Sequence, residues 1–399
     1  MDKIRKLLEK FPQIGDMMYG KDFLLTWSKQ LKEIKAVSDT ARILKEFHAN
    51  NISARIFETG LAISVFRDKS TRTRYSFASA CDLLGLQVND LEESKSQIAH
   101  GETVRETANM LSYLTEVIGI RDDLYPGLGD QYQREVIKAL DYGYDNGILP
   151  QRPCVINLQS DLDHPTQILA DLSMLTDHFG GLDKLKGKRM AVTWAYSPSY
   201  GKPMSVPQGL IALLTRLGMK INLAYPPGYE LADEIEETAK RNAEDSGGEF
   251  NIYGSMKKAF EQADIVYPKS WAPMSILQER KELFSSGDEK GLLKLEKTCL
   301  EQNAQYKNWE CNQKMMKLTR NGNALYQHCL PADITGVNCR AGEVSKEMFD
   351  RYMKETYLQA GYKPFVIAAM ILLAKVKNPQ KALGKLVNLS AKRDYFRII

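Results

Sequence analysis

The sequence lacks the short motifs by which most nucleotide-dependent and metal-dependent enzymes are recognised. It contains neither a GxxxxGK[ST] loop nor a GxGxxG loop, and the glycines of the nearest stretch, Gly127 and Gly129, have no third glycine after them. The zinc motif HExxH and the calcium loop of EF-hand proteins are absent as well. These absences give no support to a nucleotide-dependent or a metal-dependent activity.

Cysteines are few, and their spacing indicates neither a disulfide framework nor a zinc site. The six cysteines include no CxxC pair, so we predict reduced thiols in a cytoplasmic protein. The longest apolar run, Phe365 to Ala374, is about half as long as a bilayer requires, and the N-terminus has no signal-peptide core. With 54 basic and 50 acidic residues, the net charge of +4 gives no reason to expect nucleic acid or a membrane as a partner.

Short apolar runs that are typical of buried strands alternate with helical patterns along the chain. This alternation predicts an α/β protein in which helices cover both faces of parallel sheets. The predicted strands are Leu61–Phe66, Val117–Arg121, Cys154–Leu158, Arg189–Trp194, Lys220–Tyr225, Phe250–Tyr253, Asp264–Tyr267 and Ala324–Leu330.

One helical pattern separates these strands into two series. Pro165 suits a first helical turn, an apolar stripe recurs at residues 168, 169, 172 and 175, and two glycines at 180 and 181 end the pattern. Since a second series of strands begins directly afterwards, we predict that residues 165–181 form a helix linking two α/β domains.

The stretch FRDKSTRTRYSF, residues 66–77, places hydroxyl and guanidinium groups where a strand turns into a helix. Ser70 is a good N-cap, and Gly85 is a natural helix end. The unpaired N–H groups and positive end of such a helix attract anions before any side chain is counted. The alternative is a solvated N-cap with two surface arginines, which these residues alone leave open.

Polar residues follow three further strands at the same predicted edge of the sheets, where ligands of open α/β proteins bind. They are Arg121, then His164 and Gln167 within HPTQ, then Cys329 within HCLP. Each has a structural alternative: a surface ion pair for Arg121, a structural histidine for His164, a small buried thiol for Cys329. Their convergence at one edge favours a site.

In their order and spacing, FRDKSTRTRYSF, HPTQ and HCLP resemble the signature of the aspartate/ornithine carbamoyltransferase family. The stretches MAVTWAYSPSYGKPMSVPQGLIALLTRLGMKI and ADIVYPKSWAPM resemble its knotted branch, which includes N-acetylornithine transcarbamylase. The resemblance implies a carbamoyl-phosphate-binding domain at residues 1–164, completed by C-terminal helices 364–399. It also implies a second-substrate domain at residues 182–355 with a knotted chain.

The resemblance also assigns roles to residues and requires neither a cofactor nor a metal. Ser70, Thr71, Arg72 and Thr73 are expected to grip the phosphate. Arg121 and His164, with Thr73, are expected to polarise the carbamoyl oxygen. The carbamoyl nitrogen is expected to meet Gln167, Cys329 and the carbonyl of Leu330.

Two departures from the family pattern bear on the substrates. Lys269, in KSWAPM, stands where the ornithine branch has an aspartate for the amine, so a cation there disfavours a free α-ammonium group. The second substrate is further expected to contact Gln208, Cys329 and Trp271, although Trp271 has a core role as its alternative. No arginine precedes the last apolar helix, and Lys363 is the nearest replacement, as a point charge rather than a planar fork.

The family resemblance further implies an oligomer with shared sites. Gln97 and His100 match a loop that reaches the neighbouring subunit's site, which implies a homotrimer, or a dimer of trimers as the larger form.

The sequence leaves three functions open. The first is transfer of a carbamoyl group between carbamoyl phosphate and an amino acid derivative that is neither ornithine nor aspartate, in the biosynthetic direction or as phosphorolysis of a ureido acid. The second is non-catalytic binding of carbamoyl phosphate or another anion, with a regulatory role. The third, an unrelated nucleotide-binding enzyme, is disfavoured by the missing glycine loops.

Overall fold

The structure, a computed structural model, describes residues 2–93 and 100–394 and contains two parallel α/β sheets. The first has the strand order β2–β1–β3–β4, and all its strand pairs are parallel. Its strands are β1 (Leu61–Phe66), β2 (Gln87–Leu91), β3 (Thr115–Asp122) and β4 (Cys154–Ser160). The helices up to the end of this sheet are α1 (Asp2–Glu9), α2 (Leu31–Ala49), α3 (Thr71–Leu84), α4 (Val104–Ser112) and α5 (Gly129–Asp145).

The second sheet has the order β7–β6–β5–β8–β9 and is also parallel. Its strands are β5 (Arg189–Thr193), β6 (Lys220–Ala224), β7 (Glu249–Tyr253), β8 (Ile265–Pro268) and β9 (Leu325–Tyr326), and a separate pair consists of β10 (Ile334–Thr335) and β11 (Val344–Ser345). The helices that follow the first sheet are α6 (Pro165–Phe179), α7 (Ser205–Leu214), α8 (Asp233–Ser246), α9 (Met256–Phe260), α10 (Met274–Ser286), α11 (Glu289–Asn303), α12 (Gln313–Met316), α13 (Lys346–Arg351), α14 (Met353–Ala360), α15 (Lys363–Lys375) and α16 (Pro379–Leu389). The predicted fold class is confirmed.

Helix α6 connects the two sheets, as the sequence predicts. All residues from Pro165 to Thr176 are buried, so the helix has no solvent face along most of its length. The predicted stripe was therefore too narrow: α6 packs against α2, α7, α14 and α15 at once. A helix covered on all sides carries apolar residues all round, which weakens the 3.6-residue period.

The chain returns to the first sheet near its C-terminus. Helix α15 packs against α2 and α3, and its residues Val366 to Ala374 are all buried. The stretch Met353–Lys375 is long and apolar enough to cross a membrane by length and composition, but 67% of its most apolar part is buried inside the protein. Such burial is typical of a core helix.

One strand prediction was wrong in extent. The sheet pairing of β9 ends at Tyr326, although the sequence predicts a strand from 324 to 330. Beyond it, the N–H of His328 bonds the side chain of Gln359 rather than a neighbouring strand. Leu330 then adopts a positive φ of 46°, which a strand does not allow.

Candidate active site

A cavity of about 730 Å³ opens between the two sheets, beyond the carboxyl ends of their strands. The first half of the chain contributes residues 69–73, Arg121, Gln159 and His164 to its wall. The second half contributes Lys202, Lys269 and the loop 328–332. The three sequence motifs therefore meet at one cavity.

The N-terminus of α3 forms one side of the cavity. Ser70 is the N-cap residue, in extended conformation, and its hydroxyl accepts a hydrogen bond from the N–H of Thr73. Helix α3 ends at Gly85, whose positive φ of 99° suits glycine. The predicted helix and its cap are confirmed, so the free N–H groups of the first turn lie at the cavity.

Arg72 joins the two halves of the site. Its Nη2 donates to Oε1 of Gln167 at 3.3 Å and to the carbonyl oxygen of Leu330 at 3.0 Å, and it also contacts the carbonyl oxygen of Cys329. Three acceptor oxygens thus converge on one nitrogen. Burial lowers the pKa of Arg72, but an arginine remains charged at neutral pH.

The HCLP loop is held by a buried histidine. The N–H of Leu330 donates to Nδ1 of His328 at 2.9 Å, so the ring proton of a neutral His328 is on Nε2. That Nε2 lies 3.3 Å from Glu343, whose side chain is fully buried. Burial lowers the pKa of His328, although Glu343 acts to raise it. The contacts fix the left-handed conformation of Leu330 and with it the direction of the loop carbonyls.

Arg121 lines the cavity at the end of β3. Its Nε lies 2.9 Å from Asp123, and its Nη2 lies 3.6 Å from Asp68. The alternative of a surface ion pair is wrong, because the side chain of Arg121 is only 12% exposed and that of Asp123 is 1% exposed. Burial raises the pKa of Asp123 to about 7, while Arg121 acts to lower it.

His164 is the N-cap residue of α6 and is buried. Its Nδ1 lies 3.2 Å from the hydroxyl of Thr166, and its Nε2 lies 3.1 Å from Nζ of Lys363. Lys363, at the start of α15, also donates to the hydroxyl of Thr73 at 3.3 Å. Burial first, and the nearby cations next, hold the pKa of His164 well below its usual value, so the imidazole is neutral.

The amide of Gln167 is oriented by a carboxylate that the sequence did not single out. Nε2 of Gln167 donates to Asp171 at 2.6 Å, which leaves Oε1 facing Arg72. Asp171 is fully buried and also accepts hydrogen bonds from Gln359 and from the hydroxyl of Tyr267.

Two lysines stand on the side of the cavity formed by the second half of the chain. Lys202 is paired with Asp333 at 2.6 Å and with Glu343 at 3.1 Å. Lys269, which is 5% exposed, donates only to two backbone carbonyls and has no ion pair with any residue that the structure describes. Burial lowers the pKa of Lys269.

Two predicted second-substrate residues do not line this cavity. The amide of Gln208 donates to the carbonyl of Leu162 at 3.0 Å and accepts from the N–H of Ala232, beside a neighbouring cavity of about 510 Å³. Trp271 is 1% exposed, and its indole N–H donates to the carbonyl of Tyr229 at 2.8 Å. Trp271 therefore has the core role that the sequence left open, and Cys329 alone of the other predicted residues joins Lys269 at the cavity.

Gln97 lies outside the described residues. Within the described part of the chain, no group of three or more His, Cys, Asp or Glu side chains is arranged to hold a metal ion. All six cysteines are free.

The contacts that sequence reasoning missed are mostly long-range. Asp171 had a signal, since it is the charged residue in the stretch 165–176 of α6, whose other residues are apolar or neutral. Glu343 and Lys202 had no such signal, because their partners are far away along the chain. Ser270 is 73 residues from Glu343, and Asp333 is 131 residues from Lys202.

Two family models match the chain. The carbamoyl-phosphate-binding domain of aspartate/ornithine carbamoyltransferases matches residues 21–177, and their aspartate/ornithine-binding domain matches residues 201–374. Together these ranges cover most of the chain and both sheets.

Similar proteins from other sources are named as carbamoyltransferases. A protein of Escherichia coli (strain K12) named "Putative carbamoyltransferase YgeW" is 56% identical over 98% of this chain and 99% of its own length. An N-acetylornithine carbamoyltransferase of Xylella fastidiosa (strain 9a5c) is 30% identical over 80% of this chain and 93% of its own length.

Solved structures show the same fold. An acetylornithine transcarbamylase complexed with acetylcitrulline has a TM-score of 0.70 at 24% identity, over 88% of this chain and 99% of the other. The ornithine carbamoyltransferase of Pyrococcus furiosus has a TM-score of 0.69 at 25% identity, over 90% of this chain and 98% of the other. The chain therefore belongs to the aspartate/ornithine carbamoyltransferase family.

Proposed function

We propose that the chain transfers a carbamoyl group between carbamoyl phosphate and the amine of an amino acid derivative that is neither ornithine nor aspartate. The charge of the cavity wall carries this proposal. Among the residues that the structure describes, the wall includes no Asp or Glu and five cationic side chains: Lys69, Arg72, Arg121, Lys202 and Lys269. A phosphate and a carboxylate both suit such a wall.

The phosphate suits the N-terminus of α3, where free N–H groups and the helix dipole add to the side chains. This supports a phosphate site made of Ser70, Thr71, Arg72 and Thr73. The carbamoyl oxygen is then assigned to Arg121 and His164, with help from Thr73. His164 donates there in the tautomer that carries its proton on Nε2, which requires Nζ of Lys363 to move away from that nitrogen.

The carbamoyl nitrogen suits the three oxygens that Arg72 now contacts, on Gln167, Cys329 and Leu330. An NH₂ group donates two hydrogen bonds and accepts none in an amide, so a cluster of acceptors is the complementary surface. Carbamoyl phosphate would replace Nη2 of Arg72 there, and the guanidinium would turn to the phosphate.

The chemical step needs orientation and charge stabilisation. The lone pair of a neutral amine forms a bond to the carbamoyl carbon, and negative charge develops on the carbamoyl oxygen beside Arg121. The bond from carbon to the phosphate oxygen then breaks, phosphate leaves with the electron pair, and the amine proton passes to phosphate or solvent. The reverse sequence is phosphorolysis of a ureido acid.

Lys269 supports the proposed class of second substrate. It is a buried cation without an ion pair in the described chain, so a carboxylate of the substrate gains a partner there and an α-ammonium group is repelled. An amino acid whose α-amine is acylated, or is itself the reacting amine, meets this requirement.

The remaining assignments follow the family. We propose a homotrimer, or a dimer of trimers, in which Gln97 of the partner subunit completes each site, and a cytoplasmic protein without nucleic acid or membrane partners. The domain limits of 1–164 with 364–399 and 182–355, and the knot in the second domain, are proposed on the same ground.

Calorimetric titration with carbamoyl phosphate tests the proposal, followed by a panel of amino acids and ureido acids in its presence. We expect micromolar binding that Arg72→Ala abolishes. Arg74→Ala is the matched control, because Arg74 is on the same helical turn but pairs with Asp90 and does not line the cavity.

With a substrate found, Arg72→Ala and His164→Ala are each expected to cost at least about 3 kcal/mol of transition-state stabilisation. Near-normal turnover in both variants would contradict the mechanism. Binding of carbamoyl phosphate with no reaction for any acceptor or ureido acid would favour the alternative of a non-catalytic, regulatory protein, which no relative described above supports.

A further inference from the structure

We propose that Asp171 is a positioning residue that fixes the orientation of the Gln167 amide, so that the site selects carbamoyl phosphate over acyl phosphates without an NH₂ group. The proposal rests on the proposed function. Asp171 is buried and does not line the cavity. Under this proposal it nevertheless allows the site to distinguish two ligands of nearly the same size.

The side-chain amide of Gln167 makes a hydrogen bond at each of its two ends. On one side, Nε2 donates to Oδ1 of Asp171 at 2.6 Å, one helical turn further along α6. On the other side, Oε1 accepts from Nη2 of Arg72 at 3.3 Å. A flipped amide would face the carboxylate with its oxygen and the guanidinium with its NH₂ group, and would lose both hydrogen bonds.

Asp171 is itself held in place by other elements. Its Oδ1 also accepts from Nε2 of Gln359 on α14, and its Oδ2 accepts from the hydroxyl of Tyr267 on β8 at 2.9 Å. Gln359 in turn accepts from the N–H of His328, which belongs to the HCLP loop. The carboxylate therefore ties the amide of Gln167 to the same framework that positions the loop carbonyls.

The protonation of Asp171 is consistent with this role. Burial raises its pKa to about 6, while the bonds from Gln359, Gln167 and Tyr267, and the charge of Lys363, act to lower it. Above pH 7 the group is a carboxylate and accepts from all its neighbours. Assays at pH 8 therefore test the ionised form.

The consequence is selectivity at the carbamoyl nitrogen. With Oε1 fixed toward Arg72, the three oxygens lose their donor once the guanidinium turns to the phosphate, and the methyl group of acetyl phosphate supplies no other. Without the Asp171 carboxylate, the amide of Gln167 can rotate and turn its NH₂ group toward the bound ligand. The site then no longer favours a ligand with a hydrogen-bond donor at that position. A merely structural Asp171 would affect both ligands equally.

The test compares the affinities of the full-length protein for carbamoyl phosphate and acetyl phosphate, by calorimetry at pH 8. We expect the wild-type preference for carbamoyl phosphate to fall about tenfold or more in Asp171→Leu. Tyr267→Phe is the matched control, because it also removes a hydrogen bond from Asp171 but leaves the bond to Gln167; its preference should stay at the wild-type value.

A second variant keeps the test decisive if Asp171→Leu does not fold. Asp171→Ala removes the same acceptor without placing a branched side chain against Gln359 and Tyr267, and its preference should fall as in Asp171→Leu.

The outcomes separate the two proposals. A wild-type protein that binds neither ligand contradicts the proposed function. A wild-type preference that survives Asp171→Leu, or that survives Asp171→Ala where the leucine variant does not fold, overturns the role of Asp171 alone. Equal wild-type affinity for the two ligands also overturns it.

Discussion

Nζ of Lys363 lies 3.1 Å from Nε2 of His164, with both side chains buried between α6 and α15. The hydroxyl of Thr166 donates to the carbonyl of Leu158, so it is free to accept from Nδ1 of His164. A histidine with its proton on Nδ1 presents a lone pair at Nε2, and Lys363 donates to it. Burial first, and the charges of Arg72 and Arg121 next, lower the pKa of Lys363 well below its usual value. Nζ can donate to the lone pair of His164 as an ammonium group or as a neutral amine.

We predict that Lys363→Met weakens carbamoyl phosphate binding about tenfold or more, because it removes a buried donor that contacts both Thr73 and His164. Calorimetry measures the change. Lys375→Met is the control, since Lys375 is on the same helix but pairs with Glu116. Unchanged affinity in Lys363→Met would show that this lysine does not replace the missing family arginine.

Local signals explain why some elements were predicted with correct bounds. Strand β1 begins and ends as the sequence indicates, and α3 has the predicted cap at Ser70 and the predicted end at Gly85. In contrast, β2 (Gln87–Leu91) was missed, because it is a partly exposed edge strand with the sequence QVNDL and has no apolar run.

The site was predictable only where a motif marks a strand end. Arg72, Arg121 and His164 follow strands and do reach one cavity. The contacts of Asp171 and Gln208 depend on how helices pack across the two sheets, and no spacing along the chain encodes that packing. The positions of the motifs therefore identify the residues that line the cavity. They do not identify the buried residues that orient those side chains.

Asp163 gives a prediction on pH and stability. The carboxyl group is fully buried and accepts from the N–H and the hydroxyl of Thr26 at 2.6 and 2.8 Å. Burial raises its pKa to about 7, while the bonds from Thr26 act to lower it. Since the native state then binds the proton more tightly than the unfolded chain, the free energy of unfolding falls as pH rises from about 4 to about 7.

Asp163→Asn removes this dependence and keeps an oxygen for Thr26. We expect the variant to match the wild type in stability near pH 4 and to exceed it at pH 8 by up to about 4 kcal/mol. Urea unfolding at both pH values measures the difference. Parallel pH profiles for the two proteins would contradict a raised pKa at this position.

The cysteines give a prediction on thiol reactivity. Cys339 is partly exposed, and the other five are buried. Burial raises the pKa of Cys154 to about 12 and that of Cys299 to about 11, which disfavours the reactive thiolate. Burial raises the pKa of Cys339 too, so its exposure is what makes it accessible to a reagent. We expect one thiol to react rapidly with an aromatic disulfide reagent in the native protein and all six after denaturation. Two rapid thiols, or a rapid phase that survives Cys339→Ser, would contradict this.

Glu343 gives a prediction on the framework behind the cavity. Its side chain is fully buried and accepts from the N–H groups of Ser270 and Asp333 at 2.6 and 2.9 Å. It also lies 3.1 Å from Lys202 and 3.3 Å from His328. Burial acts to raise the pKa of Glu343, but Lys202 and His328 outweigh it and hold the pKa well below its usual range.

Glu343→Ala leaves these donors buried without their acceptor, and we expect it to lower the free energy of unfolding by about 3–5 kcal/mol at pH 7. Asp350→Ala is the control, because it breaks an exposed pair with Lys346 and should change stability by less than about 1 kcal/mol. Denaturant unfolding measures both. Equal losses in the two variants would mean that the buried carboxylate adds no more than a surface ion pair. A larger loss in Glu343→Ala would instead show that the loops bearing Lys202, Ser270 and His328 depend on one shared anion, because Glu343 contacts all three.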